Sequence, residues 1–130
     1  MSSSQIIKNA EAIIAIDARG FIFGSAISLL ASKPMIVARK PGKLPGELVG
    51  KSYNLEYGEN TLSIQKKALE KYSSYAIVDD LLATGGTVNC VSKILENNNK
   101  EILGILVVIE LSKLQGKLKL DFPFESIVSL

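Results

Sequence analysis

Residues 76–87, AIVDDLLATGGT, leave this chain few folds to choose from. Ala76, Ile77 and Val78 form an unbroken apolar segment of the kind buried on both faces of a parallel sheet, and it ends in two carboxylates. A Thr-Gly-Gly-Thr turn follows, and then a run at 88–98 with helical spacing. Strand, acidic pair, glycine turn and helix in that order bring several backbone N–H groups and the positive end of a helix dipole to one point. Such a point holds a phosphate. Asp79 and Asp80, just before it, can accept hydrogen bonds from the hydroxyls of a sugar. The plain alternative is a capped helix behind a tight turn. One Asp and one Thr suffice for a cap, and the motif carries two of each with two glycines. It is not a Walker loop, because no Gly-Lys-Ser/Thr follows, and it is not GxGxxG.

The rest of the chain supplies the sheet. Residues 12–16 (AIIAI) read as a central strand and run into Asp17-Ala18-Arg19-Gly20. Phe23, Ala26, Ile27 and Leu30 recur at helical spacing, so a helix is predicted over 21–31, with Pro34 just beyond it. A second short strand at 35–38 runs into Arg39-Lys40. This β-α-β order implies parallel strands and a right-handed crossover. Residues 41–50 hold two prolines and three glycines and read as a loop. Residues 51–55 and 61–65 alternate polar and apolar about a turn at 57–60, which predicts a projecting β-hairpin. An excursion that long from a compact domain is usually a lid or a binding loop. Val88, Val91, Ile94 and Leu95 give the second helix its apolar stripe, and three asparagines at 97–99 end it. A buried strand is expected at 102–109, a short helix at 114–120 and a last, edge strand at 124–130. The fold class is α/β: a mostly parallel central sheet flanked by helices, with a protruding β-hairpin arm.

Composition narrows the chemistry. A length of 130 residues suits one domain, and 47% hydrophobic with 22% charged residues fits a globular chain rather than a disordered one. A net charge of +2 is too small to attract nucleic acid on bulk electrostatics. Histidine is absent, which removes Ser-His-Asp triads, HExxH zinc sites and imidazole bases together. The single Cys90 falls within the second predicted helix at a core-facing position, where ordinary packing outweighs a reactive thiol. Acid–base chemistry is left to carboxylates, Lys and Tyr. The longest apolar run, 102–109, is short of the roughly 20 residues that span a bilayer. The opening Met-Ser-Ser-Ser-Gln lacks the basic-then-apolar pattern of a secretory signal. A cytoplasmic protein without membrane or nucleic-acid partners is expected.

In open α/β sheets, ligands sit beyond the carboxyl ends of the strands. Three such ends carry charged residues here: Asp17 to Gly20, Arg39-Lys40, and Asp79-Asp80. Arg19 is either a surface arginine at a turn or a planar fork offered to an anion. Arg39, Lys40 and Lys43 are either a solvated basic turn or an anion site. Glu56 and Tyr57, at the tip of the hairpin, are either a polar turn or a carboxylate and phenol that close over a ligand.

Taken together, the words DARGFIFG, ARKPGKLPGE, YNLEYG and IVDDLLATGGT resemble the type I phosphoribosyltransferases, and among them those that act on adenine. The resemblance runs from about residue 14 to 109. It implies the type I phosphoribosyltransferase fold and a reaction of purine salvage: adenine and phosphoribosyl pyrophosphate give AMP and pyrophosphate, with Mg2+ carried by the pyrophosphate and not ligated directly by the protein. It also implies a homodimer. Carried over, Asp79 and Asp80 bind the ribose hydroxyls, and Ala83, Thr84, Gly85, Gly86 and Thr87 cradle the 5'-phosphate. Arg19, Arg39, Lys40 and Lys43 face the pyrophosphate. Glu56 and Tyr57 lie on a catalytic arm, with Glu56 the acid–base candidate. Leu82, with the stretch around Glu110 and Leu111, approaches the base. In the family an N-terminal segment forms a hood over the purine. This chain reaches its first core strand at Ala12, so it is expected to be truncated at that end relative to the family. The alternatives are a non-catalytic module that binds phosphoribosyl pyrophosphate or a nucleotide, as sensor or inactive fragment, and a transferase for another purine.

Overall fold

The computed structural model describes residues 5–17, 19–40, 46–55, 58–82, 86–110 and 122–129. Strand β1 (Ala12–Ile16) is buried at every position, as an apolar run in the middle of a sheet must be. It lies between β2 (Met35–Ala38) and β5 (Ser74–Leu82), and β6 (Glu101–Glu110) and β7 (Phe124–Ser129) continue the sheet on the β5 side. The order is β2-β1-β5-β6-β7, and every pairing is parallel. The chain therefore leaves β1 toward one edge and β5 toward the other, and the direction of winding reverses between these two neighbours.

Helix α2 (Gly20–Ala31) makes the β1–β2 crossover and helix α4 (Gly86–Asn97) the β5–β6 crossover. The alternation of side chains along the strands builds two cores. On one face Ile13, Ala76, Val78 and Leu106 meet Ile27 of α2 and Ile6 and Ile7 of the short helix α1 (Gln5–Asn9). On the other face Ile14, Ile77, Ile105 and Val107 meet Val88, Val91, Ile94 and Leu95 of α4. Cys90 is buried there, as its position in the helical stripe implies. Helix α4 ends at its asparagines: the Asn98 side chain donates to the Ile94 carbonyl at 2.7 Å, and Asn99 is left-handed with φ 60°.

The hairpin is formed by β3 (Leu48–Leu55) and β4 (Gly58–Gln65), antiparallel from Leu48 opposite Gln65 to Leu55 opposite Gly58. Leu62 and Ile64 of β4 are buried in the α4-side core, so the base of the arm belongs to the domain. Helix α3 (Lys66–Glu70) leads back to β5, and Leu69 seals it.

Several boundaries differ from expectation. The register places Gly58, Glu59 and Asn60 in β4, not in a turn at 57–60, because strand pairing continues until two residues remain between the arms. Strand β5 does not stop at its acidic pair but runs on to Leu82, held by β6 through Leu81 opposite Ile109 and Leu82 opposite Glu110. On α2 the buried stripe is Gly20, Gly24 and Ile27, while Ala26 and Leu30 face solvent. The helix is apolar almost all round, so spacing alone could not tell which face packs. Helices α1 and α3, of five residues each, are too short to leave a period in the sequence. The helix expected at 114–120 lies outside the described residues.

Gly24 explains how α2 comes so close to the sheet. A Cβ at this position would stand 2.7 Å from the Ala15 Cβ and 3.0 Å from the Met35 sulfur. Gly24→Val should therefore push α2 off β1 and destabilise the fold by about 1–3 kcal/mol. Urea unfolding checks this, and an unchanged midpoint would contradict the packing.

Candidate functional site

Because β1, β2 and β5 are parallel neighbours, their carboxyl ends share one edge of the sheet. Strand β1 pairs with β5 only as far as Ala15 opposite Val78, so Asp79 and Asp80 rise past its last paired residue into the crevice where the winding reverses. That crevice is where open α/β sheets bind ligands. The first residues of α2 close it from one side. A Cβ on Gly20 would lie 3.1 Å from Asp79 Oδ1 and 3.2 Å from the Val78 carbonyl oxygen. Glycine is what lets the start of the helix rest on the acidic strand.

Two oppositely charged pairs flank the crevice. Arg19 stands at the N-cap of α2, and its Nε donates to Asp80 Oδ2 at 2.8 Å. The Arg19 side chain is 74% exposed, so this pair contributes little to stability, about 0–1 kcal/mol. The second pair joins the ends of β1 and β2. Arg39 Nε donates to Asp17 Oδ2 at 3.3 Å, and the Lys40 N–H donates to the same oxygen at 3.4 Å. The Arg39 guanidinium also lies 5.4 Å from the centre of the Phe21 ring, within cation–π range. Its backbone is bolted to the hairpin: the Arg39 N–H donates to the Ser63 carbonyl at 3.0 Å, and the Ser63 N–H donates back at 2.9 Å.

Asp79 is nearly inaccessible, at 8% exposure. Its Oδ1 accepts the Asp80 N–H at 2.8 Å. Burial pushes its carboxyl up to about 7, with the neighbouring Asp80 carboxylate adding to the rise; the N–H bond from Asp80 and the Arg19 charge oppose it.

The structure thus brings together Arg19, Arg39, Lys40, Asp79 and Asp80 on one edge. Leu82, the last residue of β5, sits in register beside Glu110, the last of β6. Gly86 and Thr87 open α4, which directs its helix dipole toward the loop before it. Lys43, Glu56, Tyr57, Ala83, Thr84, Gly85 and Leu111 lie outside the described residues. Asp17, noted at its strand end but given no role by the residue pattern, and Phe21, which the pattern did not single out, are members of the site's framework. The signal was present: an Asp at the end of a buried strand, two residues before an Arg, is hard to explain by packing. Among the described residues no group of three or more His, Cys, Asp or Glu converges as a metal site.

Comparison with known proteins agrees with this geometry. The family model described as the phosphoribosyl transferase domain matches residues 3–130. The chain belongs to the phosphoribosyltransferase family. An adenine phosphoribosyltransferase of Prochlorococcus marinus (strain MIT 9515) is 79% identical over 129 residues, covering 99% of this chain and 75% of that protein. The crystal structure of the adenine phosphoribosyltransferase of Thermoanaerobacter pseudethanolicus superposes with a TM-score of 0.88 at 39% identity, over 95% of this chain and 72% of that one. That of the Saccharomyces cerevisiae enzyme, complexed with an imino-altritol bisphosphate and adenine, gives 0.85 at 34% identity, over 92% and 68%. The parallel sheet, its flanking helices and its hairpin are those of a type I phosphoribosyltransferase.

The Asp79 environment has a consequence for stability. Its carboxyl moves from an ordinary 3.8 to about 7 on folding. Between those values the native state binds more protons than the unfolded chain, so the contribution of Asp79 to stability falls as pH rises through the window and is level above it. Each pH unit of that window is worth at most about 1.4 kcal/mol. Asp79→Asn should lose this dependence, gaining stability over the parent as pH rises from 4 to 7. Thermal melts of both proteins across that range check the sign, and parallel curves would contradict it.

Proposed function

We infer that this chain joins adenine to the ribosyl carbon of phosphoribosyl pyrophosphate, forming AMP and releasing pyrophosphate in purine salvage. The observation that carries the reading is the meeting of the β1, β2 and β5 ends at the winding reversal, where paired cations and carboxylates flank one crevice. The choice of adenine is supported by the similar proteins at up to 79% identity and by the adenine complex of a structural neighbour. Residues 1–130 are read as one domain of this fold.

The chemistry suits the residues. In the displacement the bond from the anomeric carbon to pyrophosphate breaks and a bond to a ring nitrogen of adenine forms. Positive charge builds on the sugar, and negative charge builds on the leaving group. Asp79 and Asp80 accept from the ribose hydroxyls and place carboxylate charge near the sugar. Arg19, Arg39, Lys40 and Lys43 face the departing pyrophosphate. The turn of Ala83, Thr84, Gly85, Gly86 and Thr87, at the start of α4, holds the 5'-phosphate. Glu56, with Tyr57 beside it on the arm, takes the proton that adenine loses, and closure of the arm keeps water from the sugar. Leu82, with Glu110 and Leu111, borders the base.

Mg2+ enters carried by the pyrophosphate, taking its ligands from substrate phosphates and water and not from a closed protein cage. When bound, Mg2+ neutralises charge on the leaving group. The proposed setting is the cytoplasm, which fits a polyanionic substrate that does not cross a bilayer unaided; no helix among the described residues is long and apolar enough to cross a membrane. A homodimer is proposed, supported by Ile22, Leu29 and Leu30 on the solvent side of α2, which are 69%, 81% and 71% exposed.

Isotope-labelled adenine, phosphoribosyl pyrophosphate and Mg2+ should give labelled AMP. Folded protein that binds phosphoribosyl pyrophosphate yet forms no AMP would leave a binding module and end the enzymatic reading. Asp80→Asn and Gly86→Val should weaken phosphoribosyl pyrophosphate binding by on the order of 100-fold with the fold retained. Glu56→Gln should spare binding and slow turnover. Calorimetry beside steady-state kinetics separates the two classes; equal losses of binding in all three would give Glu56 a binding role.

A further inference from the structure

We propose that Asp17 is a positioning residue for the leaving-group side of this reaction, acting through Arg39; the inference rests on the reading of the site given above. The Asp17 side chain is 6% exposed, and its Oδ2 receives both the Arg39 Nε and the Lys40 N–H. Burying a carboxylate is costly, and a buried ion pair adds little net stability over neutral packing. The β1–β2 ladder does not need it, since the Asp17 N–H already bonds the Ala38 carbonyl at 2.9 Å. A carboxylate at this point does one thing that a neutral residue does less well: it fixes the plane of a guanidinium.

Arg39 is held from three directions. Asp17 takes its Nε, the Phe21 ring lies under the guanidinium at 5.4 Å, and Ser63 of the hairpin takes both backbone groups. The contact to Asp17 uses the Nε edge, and a guanidinium carries donors on its other edge as well. With one edge fixed to Asp17, the remaining donors are pre-aimed at an anion beyond the end of β2, and little side-chain entropy is lost when it binds. The same oxygen also accepts the backbone N–H of Lys40 at 3.4 Å, which leaves the Lys40 side chain free of Asp17.

The sign of the effect tests this. By charge alone, Asp17→Asn removes a negative group near an anion site and should tighten anion binding. Positioning predicts the reverse: inorganic pyrophosphate with Mg2+, titrated into the full chain by calorimetry, should bind roughly tenfold more weakly. In an Arg39→Ala background, Asp17→Asn should cause no further weakening. Arg39→Lys, which keeps the charge without the planar fork, should weaken binding about as much as Asp17→Asn, and it serves if that variant fails to fold. Unchanged or tighter binding in Asp17→Asn, equal weakening in the Arg39→Ala background, or parental affinity in Arg39→Lys would overturn the proposal. Parental protein that binds no pyrophosphate would instead overturn the reading of the site, and the role of Asp17 with it.

Discussion

Strands β1 and β5 pair in parallel from Ala12 opposite Tyr75 to Ala15 opposite Val78, and beyond that β5 runs on to Leu82 paired with β6 but not with β1. This mismatch in length creates the crevice. It lifts Asp79 and Asp80 above the neighbouring strand, and the opposite winding of the chain from β1 and from β5 puts α2 on one side of the opening and α4 on the other. The crevice also depends on two small residues. Without side chains at Gly20 and Gly24, α2 can lie against β1 and β5 closely enough to bring Arg19 within 2.8 Å of Asp80. A bulkier residue at either point would displace the helix start and its arginine together.

The charges at this edge are arranged as local pairs and not as a single-sign field. Asp17 is matched by Arg39 and Asp80 by Arg19. In both pairs the arginine is the more exposed member and the carboxylate the more buried one. Asp79 is different. It is buried beside Asp80 and is pushed up to about 7, so near neutrality its proton is loosely held. A ligand that donates hydrogen bonds to this carboxylate would favour its ionised form.

Much of this could be read from the residues because local and tertiary preferences coincide there. The apolar runs of β1, β2 and β6 have no competing helical period, and the two glycines and paired acids at 79–86 fit few conformations. The face of α2 was illegible for the opposite reason. Ile22, Phe23, Ile27, Leu29 and Leu30 are all apolar, and burial was decided by the close approach at Gly24, which spacing does not encode. The hairpin turn was misplaced because polar Glu59 and Asn60 look like turn residues; the ladder that keeps them in β4 is a two-strand property. The part of Asp17 was hidden because its partner lies 22 positions away, at the end of another strand.

Arg39 ties these observations together. Its side chain reaches back to β1 through Asp17, and its backbone reaches forward to β4 through Ser63. Ser63 lies between Leu62 and Ile64, both in the α4-side core. The cationic end of β2 and the base of the hairpin therefore form one packed unit that also includes the end of β1. Any movement of the arm relative to the crevice has to be taken up on the far side of this junction, between Ser63 and the residues that join the two arms. In the reaction proposed above, such movement would leave the Arg39 side chain and its contact to Asp17 in place. The proposed reaction needs water excluded at one carbon while charge is held steady a few bonds away, and a fixed junction at the base of the arm suits both needs.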